Sequence, residues 1–191
     1  MKKQSIALLF AIVVCAIAGV AFAQDTNPMV GGAPMYRTKD IVDNAVNSAD
    51  HTTLVAAIKA AGLVPTLKGK GPFTVFAPTN EAFAKLPDGT VDTLLKPENK
   101  GTLTKVLTFH VVAGNYDSKA LASLIRKGNG TARLTTVSGG TLTLTTGGMN
   151  GMMSNQIMIT DEKGNAAAVT IADVRQSNGV IHVIDSVLMP N

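Results

Sequence analysis

Residues 71–83 read GPFTVFAPTNEAF, and this stretch decides how the rest of the chain is interpreted. The run over residues 73–77 is apolar and strand-prone, and a proline bounds it on each side. Because Pro78 cannot donate a hydrogen bond to a sheet, we expect the strand to end there. Thr79 is then well placed to cap a helix that Phe83 would anchor to the core. The stretch therefore predicts a buried strand that leads directly into a capped helix.

The segments around this strand change from helical spacing to strand alternation along the chain. Asp50 or Thr52 is expected to cap a helix before the strand, and Gly62 to end it. Asp117 or Ser118 is expected to cap a later helix. The predicted helices carry apolar stripes at helical spacing: Leu54, Val55, Ile58 and Ala61; Leu103, Val106, Leu107 and His110; Leu121, Leu124 and Ile125. In the second half of the chain apolar residues alternate with threonines, which is typical of hairpins. Helices followed by strands predict an α+β fold.

Residues 1–23 have the features of a secretory signal peptide. Two lysines precede an apolar run over residues 6–20, and a small-x-small pattern ends at Ala23. The apolar run is short for a membrane span, which needs about 20 residues. We therefore predict cleavage near Ala23 and a secreted or periplasmic protein. The alternative is a lipoprotein anchored through Cys15, but Val14 stands where a small residue is wanted.

The predicted mature chain consists of an extended arm over residues 24–37 and one folded domain over residues 38–191. Cleavage removes the only cysteine, so the mature chain cannot form a disulfide, and it lowers the formal charge from +4 to +2. Scattered basic residues and the lack of tryptophan do not fit a nucleic-acid-binding protein. No transmembrane segment is predicted in the mature chain, and its oligomeric state is left open.

Three segments in a fixed order carry a resemblance to a known family. The first is the opening stretch, the second is residues 107–112 (LTFHVV), and the third is residues 178–190 (NGVIHVIDSVLMP). They resemble the signature segments of fasciclin-type (FAS1) domains, and the resemblance covers roughly Lys39 to Pro190. It implies that residues 38–191 form a FAS1-type wedge of two β-sheets, with several helices packed along one side. It also implies a role in adhesion.

The resemblance points to two candidate contact segments. In animal members the tyrosine–histidine segment is implicated in integrin contact, and Phe109 and His110 stand at its place, with phenylalanine instead of tyrosine. Asp173 and Val174 align with part of an integrin motif of those members. The structural alternatives remain open: His110 can be a buried imidazole bonded to backbone groups, and Asp173 can bond to backbone donors at a strand end.

Catalytic chemistry is not expected from the polar residues near the end of the chain. Ser177, His182 and Asp185 are the residue types of a hydrolytic triad. Alternation along a strand, however, places His182 and Asp185 on opposite faces, where they cannot hydrogen-bond as a triad requires. We therefore predict that the chain is not an enzyme and uses no cofactor.

Four methionines form a pattern that the resemblance does not explain: Met149, Met152, Met153 and Met158. Thioether sulfurs bind soft Cu(I), but methionines also fill gaps or adapt to partner surfaces. The leading hypothesis is an exported, non-enzymatic fasciclin-domain protein that mediates adhesion. Its partner would be a protein or a polysaccharide on a cell surface or matrix. The alternative is a periplasmic Cu(I)-binding protein that uses the methionines.

Overall fold

The computed structural model describes residues 27–147 and 156–191. The described helices are α1 (Ile41–Ala45), α2 (Thr52–Ala61), α3 (Val64–Leu67), α4 (Asn80–Ala84), α5 (Thr90–Leu95), α6 (Lys100–Phe109) and α7 (Ser118–Lys127). The described strands are β1 (Met29–Val30), β2 (Ala33–Pro34), β3 (Phe73–Pro78), β4 (Val111–Ala113), β5 (Thr131–Thr135), β6 (Thr141–Thr146), β7 (Ile157–Thr160), β8 (Ala166–Gln176) and β9 (Gly179–Ile184). The predicted α+β class is confirmed.

Strand β3, which the opening stretch predicts, lies inside a seven-stranded sheet with the order β4-β3-β9-β8-β7-β6-β5. It pairs in parallel with β9, from Phe73 opposite Gly179 to Pro78 opposite Ile184, and antiparallel with β4. The remaining neighbours in this order pair antiparallel. Strands β3 and β9 are almost continuously buried because both faces of the sheet are covered at this point.

Strand β8 belongs to two parts of the sheet. Residues 166–168 pair with β7, whereas the rest of the strand pairs with β9. Register shifts between Val169 and Ile171 and between Ile171 and Val174 bend the strand at the change of partner. The two sheets of the expected wedge are therefore β4, β3, β9 and one part of β8, and β5, β6, β7 and the other part.

Two apolar cores lie on opposite faces of the sheet. Alternation along β3 sends Val75 and Ala77 into the first core and Phe76 into the second. Residues from α1 to α6 fill the first core, as the expected row of helices along one side requires. Helix α7 covers the other face, where Leu121 and Ile125 pack against β5, β6 and β7. The second half of the chain thus has a core of its own.

Gly62 ends α2 in a left-handed conformation, as predicted, whereas the N-terminal caps agree with the sequence in two cases and differ in one. Thr79 accepts from the Ala82 N–H at 3.2 Å and caps α4, and Asp117 accepts from the Ala120 N–H at 2.9 Å and caps α7. The prediction that Asp50 or Thr52 caps α2 is wrong. Instead the Oδ1 atom of Asn80, from α4, accepts from the Thr53 N–H at 3.0 Å. Asn80 can cap α2, although it lies far along the chain, because α2 and α4 pack together.

The predicted arm forms a short hairpin that packs on the domain. Strands β1 and β2 pair antiparallel, and the Ala49 N–H donates to the Gly31 carbonyl at 3.1 Å. Val30 and Met35 are buried in the first core. In the described ranges, no helix has the length and apolar character that crossing a membrane requires.

Candidate functional site

Asp173 lies in the bulged part of β8, where the chain leaves regular strand geometry. Its φ angle is 61°, a left-handed conformation that is uncommon for residues other than glycine. The half-buried carboxylate accepts from the Ser118 N–H at 2.6 Å and from the Ser118 hydroxyl at 2.5 Å. Because Ser118 is the first residue of α7, this contact joins the bulge to the helix N-terminus, which favours negative charge.

His182, on the neighbouring strand β9, supports the bulge from inside. Its Nε2–H donates to the Tyr116 carbonyl at 2.8 Å, and its Nδ1 accepts from the Asp173 N–H at 3.4 Å. The ring stacks on Phe76 with a centroid separation of 5.7 Å. Burial disfavours the charged imidazole and lowers the pKa of His182, although the Tyr116 carbonyl, Asp173 and Asp117 act in the opposite direction. The neutral ring therefore packs between the bulge, to which it hydrogen-bonds, and the Phe76 side chain in the core.

Asp117 completes the polar surroundings of the bulge. Besides capping α7, its carboxylate pairs with the Arg175 guanidinium at 2.9 Å. The Ala120 N–H, then Arg175 and Lys119, lower the pKa of Asp117. The Asp117 carboxylate is half-buried and the Arg175 side chain is exposed, so solvent screens the pair and it adds little to stability. Its role is to fix the orientation of α7 relative to β8.

Of the four predicted interaction residues, the structure brings one to the surface. Val174 is only 1% exposed, and Phe109 and His110 are also buried. Contact of these three side chains with a partner is therefore not supported, because the core covers them. Asp173 is half-buried, and its neighbour Ala172 is exposed.

The structural interpretation of His110 is confirmed. Its Nδ1–H donates to the Val106 carbonyl at 2.8 Å, and its Nε2 accepts from the Leu188 N–H at 3.0 Å. Burial is the main cause that lowers the pKa of His110 from 6.5 to about 4. The ring is therefore neutral at physiological pH and joins α6 to the segment after β9.

The residues of the rejected triad have separate partners. The carboxylate of Asp185 accepts from the Ala168 N–H at 2.8 Å and pairs with Lys85. The ring nitrogens of His182 are both used at the bulge. The predicted separation of these two side chains is confirmed.

Three of the methionines in the copper hypothesis, Met149, Met152 and Met153, lie outside the described residues. Met158 lies in β7, opposite Thr145 on one side and Ala168 on the other, and is buried. Within residues 27–147 and 156–191, no group of three or more His, Cys, Asp or Glu side chains could hold a metal ion. Because that search concerns other side chains and three of the four methionines lie outside the described residues, the copper site stays a hypothesis.

Sequence reasoning did not predict the partners of Asp173. Ser118 is 55 positions away in the chain, and the sequence suggested it only as a possible cap of α7. The bulge itself gives no sequence signal, because its residues continue the β8 pattern. The sequence signal that could have been used is the pair Asp117 and Ser118. A helix cap needs one polar side chain, so the second is available for a partner elsewhere in the chain.

Comparisons with known proteins agree with this fold. The sequence model of the Fasciclin domain matches residues 49–190. A Synechocystis protein named Protein sll1483 is 47% identical over 166 residues, which cover 87% of this chain and 82% of that protein. Immunogenic protein MPB70 of Mycobacterium bovis is 39% identical over 151 residues, which cover 76% of this chain and 66% of that protein.

Similarity extends to animal proteins and to a solved structure. Transforming growth factor-beta-induced protein ig-h3 of Sus scrofa is 37% identical over 137 residues, which cover 72% of this chain and 17% of that protein. A solved FAS1 domain pair from the insect cell adhesion molecule Fasciclin I has a TM-score of 0.68 at 18% identity, covering 79% of this chain and 51% of that chain. This last similarity concerns the fold alone. Because the family model spans most of the sequence and the relatives are this similar, the chain belongs to the fasciclin domain family.

Proposed function

We propose that the chain is an exported, non-enzymatic binding protein that mediates adhesion to a protein or polysaccharide outside the cell. Its contact surface is the Asp173 bulge, defined as Ala172, Asp173 and the first turn of α7. The observation that carries the proposal is the left-handed Asp173 in a β-bulge at the surface. Such conformations cost free energy, and bulges often redirect side chains near functional sites.

Export is proposed from the pattern of residues 1–23, which has the charged, apolar and small-residue regions of a signal peptide. Adhesion is proposed from membership of the fasciclin domain family, because the resemblance to FAS1 domains implies such a role. A secreted or periplasmic location places the Asp173 bulge where such a partner is present.

The absence of catalysis is proposed from the environment of the histidines. His51, His110 and His182 are all buried, and burial lowers the pKa of each ring. A general base must reach the proton that it abstracts from a substrate. These rings instead bond to serine or backbone partners inside the domain.

A pair of matched variants on β8 tests the contact surface. Ala172→Arg places a large charged side chain on the Asp173 bulge, and Ala166→Arg makes the same change at another exposed position of the strand. Beads coated with residues 24–191 are incubated with cells of the producing organism and with isolated matrix. We expect beads coated with wild type or Ala166→Arg to attach and beads coated with Ala172→Arg not to attach. The three proteins should have similar melting temperatures. Equal attachment of both variants would exclude the bulge as the contact surface. Failure of wild-type beads to attach would refute adhesion.

A further inference from the structure

The segment between Asp117 and Asp161 has an unusual charge distribution. It contains four basic residues and no aspartate or glutamate, so its formal charge of +4 equals that of the whole chain. The basic and acidic residues in the rest of the chain cancel. This segment supplies α7, β5, β6 and β7, so the charged residues on these elements are all basic.

Three of these basic residues lie on the edge strand of the sheet or on the helix turn next to it. Arg126 and Lys127 are exposed in the last turn of α7, and β5 is the edge strand beside this helix. The Gly130 N–H donates to the Ile125 carbonyl at 2.9 Å, which closes the turn between helix and strand. At Gly128 a Cβ atom would lie 1.9 Å from a backbone oxygen, so the turn is tightly packed and fixes the two cations beside β5.

Arg133 extends this surface onto the outer face of β5. Its neighbour Leu134 points into the second core, so Arg133 points away from it, and its side chain is exposed. Within the described parts of the chain, the side chains of Arg126, Lys127 and Arg133 form no ion pair or hydrogen bond. The fourth cation, Lys119, lies near Asp117 and is not included. We call Arg126, Lys127 and Arg133 the cationic edge.

We propose that the cationic edge binds an acidic polysaccharide, a glycan whose repeating units carry carboxylate or sulfate groups. Unpaired guanidinium and ammonium groups on a packed backbone attract a polyanion without first breaking an internal ion pair. Charge complementarity is the reason for choosing this partner. The cationic edge lies outside the Asp173 bulge, so the inference goes beyond the proposed function and uses different residues.

The surroundings of the cationic edge favour a polysaccharide over other polyanions. The outer faces of β5 and β6 carry hydroxyl groups that can bond to sugar hydroxyls, from Thr131, Thr135, Thr141, Thr143 and Thr145. On the described residues of β5, β6 and the turn between them, one large apolar side chain is exposed, that of Val137 in the turn. A protein interface normally has an apolar or aromatic centre, and a membrane-surface site has several apolar side chains that insert. Single-stranded nucleic acid is normally held by stacking on aromatic rings.

The test compares two variants that remove the same charge. Arg126→Gln/Lys127→Gln/Arg133→Gln removes the cationic edge. Lys59→Gln/Lys96→Gln/Lys100→Gln removes three exposed lysines of the other face, in α2, directly after α5 and in α6. Binding of residues 24–191 to alginate, a polyuronate, is measured by calorimetry at several salt concentrations, with neutral dextran as the comparison polymer. We expect alginate binding that weakens with salt, a loss of about tenfold or more in the first variant, and little change in the second.

Several outcomes would overturn the proposal. No binding of wild-type protein to alginate, or equal binding to dextran, would exclude an acidic polysaccharide. Equal losses in both triple variants would show that net charge alone matters. Tighter, edge-dependent binding to duplex DNA or to phosphatidylserine vesicles would assign the edge to a different partner. Arg126→Lys/Arg133→Lys keeps the charges, so retained binding in this variant supports the proposal and loss of binding contradicts it.

Discussion

At the level of single residues, buried polar side chains join segments that are distant in the chain. His110 joins α6 to Leu188, and it does so as a neutral ring, because its Nε2 must accept a hydrogen bond. Asp161 lies in the turn between β7 and β8 and is also buried. Its two oxygens accept from four donors: the backbone N–H groups of Lys163, Asn165 and Met189, and the side-chain amide of Asn165.

The pKa of His110 predicts how stability depends on pH. An unfolded histidine titrates near pH 6.5, whereas the folded ring has a pKa of about 4. Between these values the unfolded chain binds a proton that the folded chain does not, so acid favours unfolding. We expect the free energy of unfolding to have its full value above pH 6.5 and to fall as the pH decreases towards 4. Thermal melts followed by circular dichroism across this range measure the effect.

A variant that cannot titrate provides the control for this pH effect. His110→Gln should be less stable than wild type at pH 7.5, but its stability should depend less steeply on pH. Some dependence should remain, because burial also lowers the pKa values of His51 and His182. Identical pH profiles for the two proteins would contradict the assigned role of His110.

Removal of the Asp161 carboxylate should destabilise the domain. Asp161→Ala leaves buried backbone donors without an acceptor, which we expect to lower the free energy of unfolding by about 2 to 4 kcal/mol. Asp88→Ala removes an exposed turn carboxylate and should change it by less than about 0.5 kcal/mol. Urea unfolding of both variants measures the difference, and a small effect at Asp161 would mean that solvent replaces its hydrogen bonds.

At the level of elements, the parallel contact between β3 and β9 depends on close backbone approach. A Cβ atom at Gly179 would lie 2.0 Å from the Phe73 carbonyl oxygen. A side-chain rotation cannot relieve this contact, because the oxygen belongs to the backbone of β3 and the position of the Cβ atom is set by the backbone of β9. Glycine is therefore required at the start of β9.

Two glycine substitutions with opposite expectations test this requirement. Gly179→Ala should destabilise the protein by about 3 kcal/mol or prevent folding, because the two strands must separate. Gly101→Ala, in α6, meets no atom within 4 Å and should stabilise the helix by up to about 1 kcal/mol. Melting temperatures and soluble yields distinguish the two outcomes. A Gly179→Ala protein as stable as wild type would show that the strands can shift apart.

Elements with strong local signals were predictable, and contacts between elements were not. The prolines around β3 and the side chain of Thr79 are local features, so the strand and the cap of α4 follow from the sequence. The cap of α2 comes from Asn80, and no local pattern shows that these segments meet. The same limit applies to the site, since the sequence named Asp173 but not its bulge or its contact with Ser118.

At the level of the whole molecule, the N-terminal hairpin is part of the fold. The family match begins at residue 49, yet Val30 and Met35 lie in the first core. The Asn44 side chain is also buried there and bonds to both backbone groups of Tyr36. The sequence predicted an arm for residues 24–37 because glycines and prolines obscure any period in so short a hairpin.

Two methionines of this hairpin provide a matched comparison. Met35 is 2% exposed and Met29 is 59% exposed. Met35→Ala should lower the free energy of unfolding by about 3 kcal/mol, because a cavity forms in the core. Met29→Ala should change it by less than about 0.5 kcal/mol. Both are measured by urea unfolding of residues 24–191, and equal values would show that the hairpin does not contribute to the core.

The pairing of β3 with β9 also has a consequence for biosynthesis. Strand β3 leaves the ribosome long before β9, so its parallel neighbour does not yet exist while most of the chain is being made. Until β9 emerges, one edge of β3 remains unpaired, and both apolar layers lack the residues that β9 contributes. We therefore expect the nascent polypeptide to stay open for most of translation, which is the state that a translocation channel for unfolded chains accepts.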